Sequence, residues 1–521
     1  MRSTLNPQKW HLTRRLKNSF QQSTFSGQPS HPPPQQDGIV RADIFLGNTM
    51  ARYLFLAILM LITACGQQTG RTVVFGRGGD SVGLDPALET DGESFKVCDN
   101  IYETLVAFVP ERTDLAPGLA TSWQASEDGL TWTFQLRENV VFHDNTPFNA
   151  DAVVFSLARQ FKPDHPFNKV EGAYQYWAGM SMSDIVKDVH KIDDLTVSID
   201  LKRPNAPFLA NLTMNFCAIV SPVAVEKWGA DFARHPVGTG PFRFVEWIKD
   251  DRVVLERNTD YWGPAPKIDR LIFRSIPENS VRLIALTQGS IDGMDNLVPD
   301  FLPTIESDEN LALLSQPGMN VGYLAMNMDK EPFQNLNVRR AINHAINKQA
   351  LIDNLYQGLA IPAVNPIPPT VWSYRQETPG YEYDPEKART LLSEAGFPNG
   401  FKTTLWAMPV PRPYMPQPQK IAQAIQADLQ TVGIEAEIVT YEWGTYLDKV
   451  QRGQHDMALL GWTGDNGDPD NFLYILLDKS ATQMPANNIA FYRSDPLHDI
   501  LVAAQKESDK AKRTVLYQKA Q

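Results

Sequence analysis

The sequence predicts an α/β protein in which helices wrap a largely parallel sheet. Two observations carry that expectation. Segments of helical and strand period alternate without a break from residue 384 to 462, and such alternation is the mark of helix crossovers between parallel strands. The first half carries short β-branched and aromatic runs separated by an amphipathic helix, and no internal repeat is visible that would indicate a solenoid.

Taken in order, T-V-V-F at 72–75 fits a buried strand, and W-T-F-Q-L at 132–136 and L-T-V-S-I-D-L at 195–201 alternate as half-buried strands. A-D-A-V-V-F-S-L-A-R at 150–159 has helical spacing, with Asp151 expected to cap it. A helix begins at Asp384 as cap and Pro385 in the first turn, buries Ala388, Leu391, Leu392 and Ala395, and stops at Gly396. A strand over 401–408 follows, then a proline-rich loop. The next helix presents Ile421, Ile425, Leu429 and Val432 and ends at Gly433. I-E-A-E-I-V-T-Y is the next strand, W-G-T-Y-L-D-K-V-Q-R-G a short helix, and D-M-A-L-L-G-W at 456–462 the closing strand.

With 521 residues, 43% of them hydrophobic, the chain is long enough for two to four domains. A formal net charge of -12 argues against nucleic acid as a partner. Cys65, Cys98 and Cys217 are the only cysteines. Cys98 and Cys217 are expected to be buried and unpaired unless the fold brings them together. Residues 1–49 are polar and basic, with P-P-P-Q-Q at 32–36, and lack the makings of a core. They are expected to lie outside the mature protein, with Met50 as the true start. From Met50, Arg52 precedes the apolar run Tyr53–Ala64, which is too short to span a bilayer but suits a signal peptide over 50–64. I-T-A-C, ending at Cys65, resembles a bacterial lipobox, which implies that Cys65 is lipidated and begins the mature chain. Removing the seven basic and two acidic residues ahead of Cys65 takes the net charge to -17.

The most informative stretch is G-W-T-G-D-N-G-D-P-D-N-F, residues 461–472, where Asp465, Asp468 and Asp470 crowd beside Trp462. In open α/β sheets ligands lie beyond the carboxyl ends of the strands. Asp465 follows the 456–462 strand and Arg412 follows the 401–408 strand, so parallel pairing would place an acid and an arginine at one crevice, fit for a zwitterion. Asp468 and Asp470 read as members of a solvated turn. Trp462 fits a core position and a binding wall equally well.

Two rival chemistries fail on spacing. Measured from Asp465 as a calcium-loop start, Asp470 stands where glycine is required and Leu476 where glutamate is required, so no metal is expected. Gly79-Asp80-Ser81-Val82-Gly83 matches G-x-S-x-G, which makes a serine hydrolase built on Ser81 the out-of-class alternative. Leu84-Asp85-Pro86 interrupts the required turn into a helix. No other catalytic motif and no cofactor motif is found.

The segment 115–148, L-A-P-G-L-A-T-S-W-Q-A-S-E-D-G-L-T-W-T-F-Q-L-R-E-N-V-V-F-H-D-N-T-P-F, resembles the signature region of the extracellular solute-binding proteins of family 5, which serve bacterial peptide ABC importers. H-P-V-G-T-G-P-F at 235–242 is similar to a second family motif. W-A-M-P-V-P-R-P-Y at 406–414 and the 461–472 stretch resemble the dipeptide-binding branch. The resemblance spans 71–521. It implies a two-lobed periplasmic-binding-protein-like fold of type II: lobe I over 65–316 with a subdomain inserted at about 103–235, and lobe II over 317–521. It also implies a monomer that is not an enzyme. This receptor would sit outside the cytoplasm on a lipid anchor and pass dipeptides, or haem or another peptide-like ligand, to an ABC permease. By the resemblance Asp465 pairs with the peptide ammonium, Arg412 with its carboxylate, and Trp462 and Tyr414 line the pocket. Two departures stand out. Gly76 and Gly289 stand near where the family's first disulfide pair would lie. The chain stops at Y-Q-K-A-Q without a helix cap, whereas family members continue back to lobe I, so a truncation is expected.

Overall fold

In the computed structural model the described residues are 11–14, 70–109, 112–168 and 174–521. The signal segment 50–64 and Cys65 lie outside them.

Thr72–Arg77 is central to a seven-stranded sheet ordered Leu311–Leu314, His11–Arg14, Gly293–Met294, Thr72–Arg77, Arg270–Ser275, Arg252–Arg257, Phe242–Ile248. It pairs in parallel with both neighbours. His11–Arg14, from the stretch expected to precede the mature protein, pairs antiparallel with Gly293–Met294 and with Leu311–Leu314.

Between Thr72–Arg77 and Phe242–Ile248 the chain leaves this sheet and builds another. Ala120–Ala125, Thr131–Leu136, Thr196–Leu201 and Val186–Asp193 form an antiparallel four-stranded sheet with its own core, which includes Phe134, Phe142, Trp177, Phe208 and Phe216. The helix predicted at 150–159 runs Ala150–Ala158, but Asn149 caps it rather than Asp151. A cap needs extended backbone just outside the first turn. Asn149 has it and accepts from the Ala152 N–H, while Asp151 already belongs to the helix and pairs with Lys191.

The second half forms a four-stranded sheet ordered Asn320–Met326, Met457–Thr463, Phe401–Trp406, Ile434–Val439. Its last three strands are mutually parallel, as the helix–strand alternation predicts, and Asn320–Met326 is antiparallel to Met457–Thr463. The connecting helices keep their expected punctuation. Asp384 accepts from the Lys387 N–H to open Pro385–Glu394, and Gly396 and Gly433 follow their helices with positive φ. Ile421, Ile425 and Leu429 of helix Pro418–Thr431 pack into a core with Tyr446, Leu405 and Met457. Cys98 and Cys217 are buried and unpaired. No described helix is long and apolar enough to cross a membrane.

Candidate ligand-binding site

Parallel pairing puts the loops after Phe401–Trp406 and Met457–Thr463 at the same edge of the sheet. Asp465 begins the second of these loops, and its geometry is set by Asn471. The Asn471 side-chain oxygen accepts from Trp462 Nε1 at 2.9 Å and from the Asp465 N–H at 3.0 Å, while its Nδ2 donates to Asp465 Oδ2 at 3.2 Å. From the four-stranded subdomain, Tyr176 donates to Asp465 Oδ1 at 3.4 Å. The Asp465 side chain keeps some exposure, yet it lies deep enough that burial pushes its pKa up to about 6, against the pull of the Asn471 and Tyr176 hydrogen bonds. Among the described residues no Lys, Arg or His pairs with it. A deep carboxylate held by two neutral donors and no cation is built to receive one.

Arg412 and Tyr414 lie on a tight turn closed by Arg412 N–H to Met415 C=O at 3.1 Å and Met415 N–H to Arg412 C=O at 2.9 Å. The Arg412 guanidinium packs over the Trp443 ring, 4.4 Å from its centroid, and donates weakly to the Pro411 carbonyl at 3.4 Å. Among the described residues it has no carboxylate partner, and it does not touch Asp465. Tyr414 rests on two glycines that face each other across the strand pair, Gly322 and Gly461. A Cβ on Gly461 would stand 2.3 Å from the Tyr414 ring, and one on Gly322 would stand 2.7 Å from its carbonyl oxygen. The structure thus joins Asp465 to Trp462 through Asn471, with Arg412 apart on Trp443. Tyr414 packs on the strand face that Gly461 presents, and the next side chain along, Trp462, points to the opposite face.

The solvated-turn reading of Asp468 and Asp470 is overturned. Both are buried. Asp468 pairs with Arg513 at 2.9 Å, and Asp470 accepts from Gln505 Nε2 at 3.1 and 3.2 Å and from the Tyr517 hydroxyl at 3.3 Å. Turn composition cannot show that two later helices, Asp495–Lys506 and Lys510–Ala520, fold over this loop. Burial, with the Asp468 charge added, pushes the pKa of Asp470 up to about 7. Sequence reasoning also missed Asn471, Tyr176 and the glycine pair. A glycine inside a strand signals close approach of another backbone, so Gly322 and Gly461 carried a readable sign.

Ser81 has its hydroxyl 2.9 Å from the Arg77 guanidinium and 3.4 Å from the Glu93 carbonyl. A guanidinium is a donor and cannot take a proton from serine.

Two α/β sheets and a third, antiparallel sheet make up the described chain, and the subdomain of the third meets the loop of the second at Asp465 through Tyr176, which defines the cleft. Residues 114–484 match the family described as bacterial extracellular solute-binding proteins, family 5 Middle. The dipeptide-binding protein of Escherichia coli (strain K12) is 41% identical over 476 residues, 89% of each chain. Heme-binding protein A of Haemophilus influenzae is 40% identical over 474 residues, 88% of this chain and 86% of its own. Among solved structures, the ABC transporter-associated periplasmic binding protein of Helicobacter pylori in complex with the peptide STSA is 42% identical. It superposes with a TM-score of 0.76, covering 87% of this chain and 91% of that one. The chain belongs to the bacterial extracellular solute-binding proteins of family 5, and its two-lobed α/β fold is that of periplasmic binding proteins.

Proposed function

We propose that this protein is the receptor of an ABC importer and captures dipeptides by their two charged ends. The observation that carries the reading is that Asp465, a deep carboxylate with two neutral donors, has no cation against it among the described residues. Arg412 is its counterpart, a guanidinium stacked on Trp443 with no acid against it among the described residues. A dipeptide zwitterion supplies both missing charges, its ammonium to Asp465 and its carboxylate to the planar fork of Arg412. Trp462, tied to Asp465 through Asn471, walls the space beside the ammonium, and Tyr414 supports the turn that carries Arg412. Membership of a solute-binding family supports a receptor without catalysis, and the serine-hydrolase alternative loses its base, since Ser81 faces a cation. The lobes divide as 65–316 and 317–521, with the subdomain at about 103–235, because the three large sheets fall within these spans apart from the strand His11–Arg14. Lipidated Cys65 holds the monomer outside a bacterial membrane beside its permease.

The test is native mass spectrometry of the purified protein, followed by titration calorimetry with Ala-Phe, its N-acetyl form and its C-terminal amide. Binding of the free dipeptide with loss for both blocked forms supports the reading. Haem carried by the purified protein, with no response to Ala-Phe, would replace it by the haem reading that the Haemophilus influenzae relative's name suggests.

A further inference from the structure

The loop that carries Asp465 is gripped from the opposite side of the cleft by groups that take no part in the ligand contacts above. Asn466 Nδ2 donates to Asn211 Oδ1 at 2.6 Å, and both side chains are buried. Asn211 ends the short helix Phe208–Asn211 of the subdomain. One residue further, Gly467 holds φ of +69°, and a Cβ there would stand 2.7 Å from the Thr113 side chain. Gln505 then ties the two sides together. Its Nε2 donates to both oxygens of Asp470, its Oε1 accepts from Arg203 Nη1 at 3.0 Å, and its backbone carbonyl accepts from the Ala206 N–H at 2.7 Å.

Across the cleft these contacts are amide to amide, arginine to amide and backbone to backbone. Neutral amides exchange a protein partner for water at little net cost, so such contacts open and close readily, whereas a stranded buried ion pair would not. Several acting together have the size needed to bias an open–closed equilibrium.

We propose that Asn466 and Gln505 are positioning residues that latch the ligand loop onto the subdomain at Asn211, Arg203 and Ala206, so that the subdomain sets how long a bound peptide stays. The proposal rests on the peptide reading above. A peptide ammonium on Asp465 fixes the loop one residue from Asn466, and the latch follows.

The Ala206 N–H reports engagement directly, because its acceptor lies on the far side of the cleft. Hydrogen exchange over residues 203–208, with and without Ala-Phe, is compared in wild type, Asn466→Ala and Arg203→Ala, together with stopped-flow release of the peptide. Ala-Phe is expected to raise protection of Ala206 in wild type. Asn466→Ala should lose that gain and release peptide about tenfold faster at a nearly unchanged on-rate. Arg203→Ala leaves the Asn466–Asn211 contact in place and should show a smaller rise in the same direction. Equal Ala206 protection and equal release in all three proteins would overturn the latch. If Ala-Phe does not bind wild type, the peptide reading fails. The ligand-free comparison then decides the latch, since lower Ala206 protection in Asn466→Ala supports it and equality overturns it.

Discussion

Arg513 donates to Asp468 across 2.9 Å, and both side chains are buried, so the recognition loop is fastened to a helix 45 residues further along the chain. Removing one partner strands the other charge, which costs roughly 3–5 kcal/mol. Asp468→Asn and Arg513→Met should each lower unfolding free energy by about that amount in urea denaturation. The double substitution should cost less than the sum of the two.

Asp465→Asn separates stability from function. Its carboxyl is raised to about 6 from the ordinary 3.8, chiefly by burial. A folded pKa above the unfolded value means stability that is present in acid and lost as pH rises from about 4 through 6. Ligand-free Asp465→Asn should therefore melt higher than wild type at pH 7.5, by on the order of 1–3 kcal/mol. On the proposed reading its affinity for Ala-Phe should fall about a hundredfold or more, because the ammonium would lose the charge of Asp465. Calorimetry and thermal melts on one preparation read both effects.

Binding should follow the same titration. An ammonium favours the ionised carboxylate, so wild-type affinity should drop as pH falls below about 6, with proton release on binding near that pH. Asp465→Asn should show neither, and EDTA should leave wild-type binding unchanged.

Arg412→Lys keeps the charge and loses the fork that meets a carboxylate with two parallel bonds. Affinity for Ala-Phe should fall about tenfold or more. The amidated dipeptide, already weak on wild type, should lose little further. Equal affinity for acid and amide in wild type would leave Arg412 with only its packing on Trp443.

Gly322→Ala should act on binding through the Tyr414 backbone. The added methyl would stand 2.7 Å from the Tyr414 carbonyl, so the Arg412–Met415 turn must shift. Overpacking of this kind costs about 1–3 kcal/mol, and peptide affinity should fall with it. Denaturation and calorimetry check the pair.

Cys65→Ser should move the expressed protein from the membrane fraction to the soluble one, since stable lipid attachment needs more than one acyl chain or a second signal. Fractionation and immunoblotting read the outcome.

Much of the sheet that carries the site was legible because its cues are local. Asp384 with Pro385, the glycines after helices, and apolar spacing in Pro418–Thr431 each act within a turn or two. Parallel order followed from alternation, and it placed Asp465 and Arg412 at neighbouring strand ends. The fate of Asp468 and Asp470 was not legible. Asp, Asn, Gly and Pro make the same turn whether water or Arg513 covers it, and the cover comes from distant helices. Asn471 was invisible for a related reason, since a side-chain amide that joins Trp462 to Asp465 has no sequence pattern of its own. Capping at Asn149 rather than Asp151 was decided by backbone torsion, which neighbouring polar residues do not reveal.

The tie between the recognition loop and helix Lys510–Ala520 also orders events in time. On a ribosome, Asp468 and Asp470 emerge well before Arg513 and Tyr517, which lie 45 and 47 residues later. Until that helix is made and docks, Asp468 lacks its buried cation Arg513, and Asp470 lacks the Tyr517 hydroxyl and keeps only the Gln505 amide. The loop is therefore fastened late, its buried ion pair closing only after synthesis has passed Lys510–Ala520.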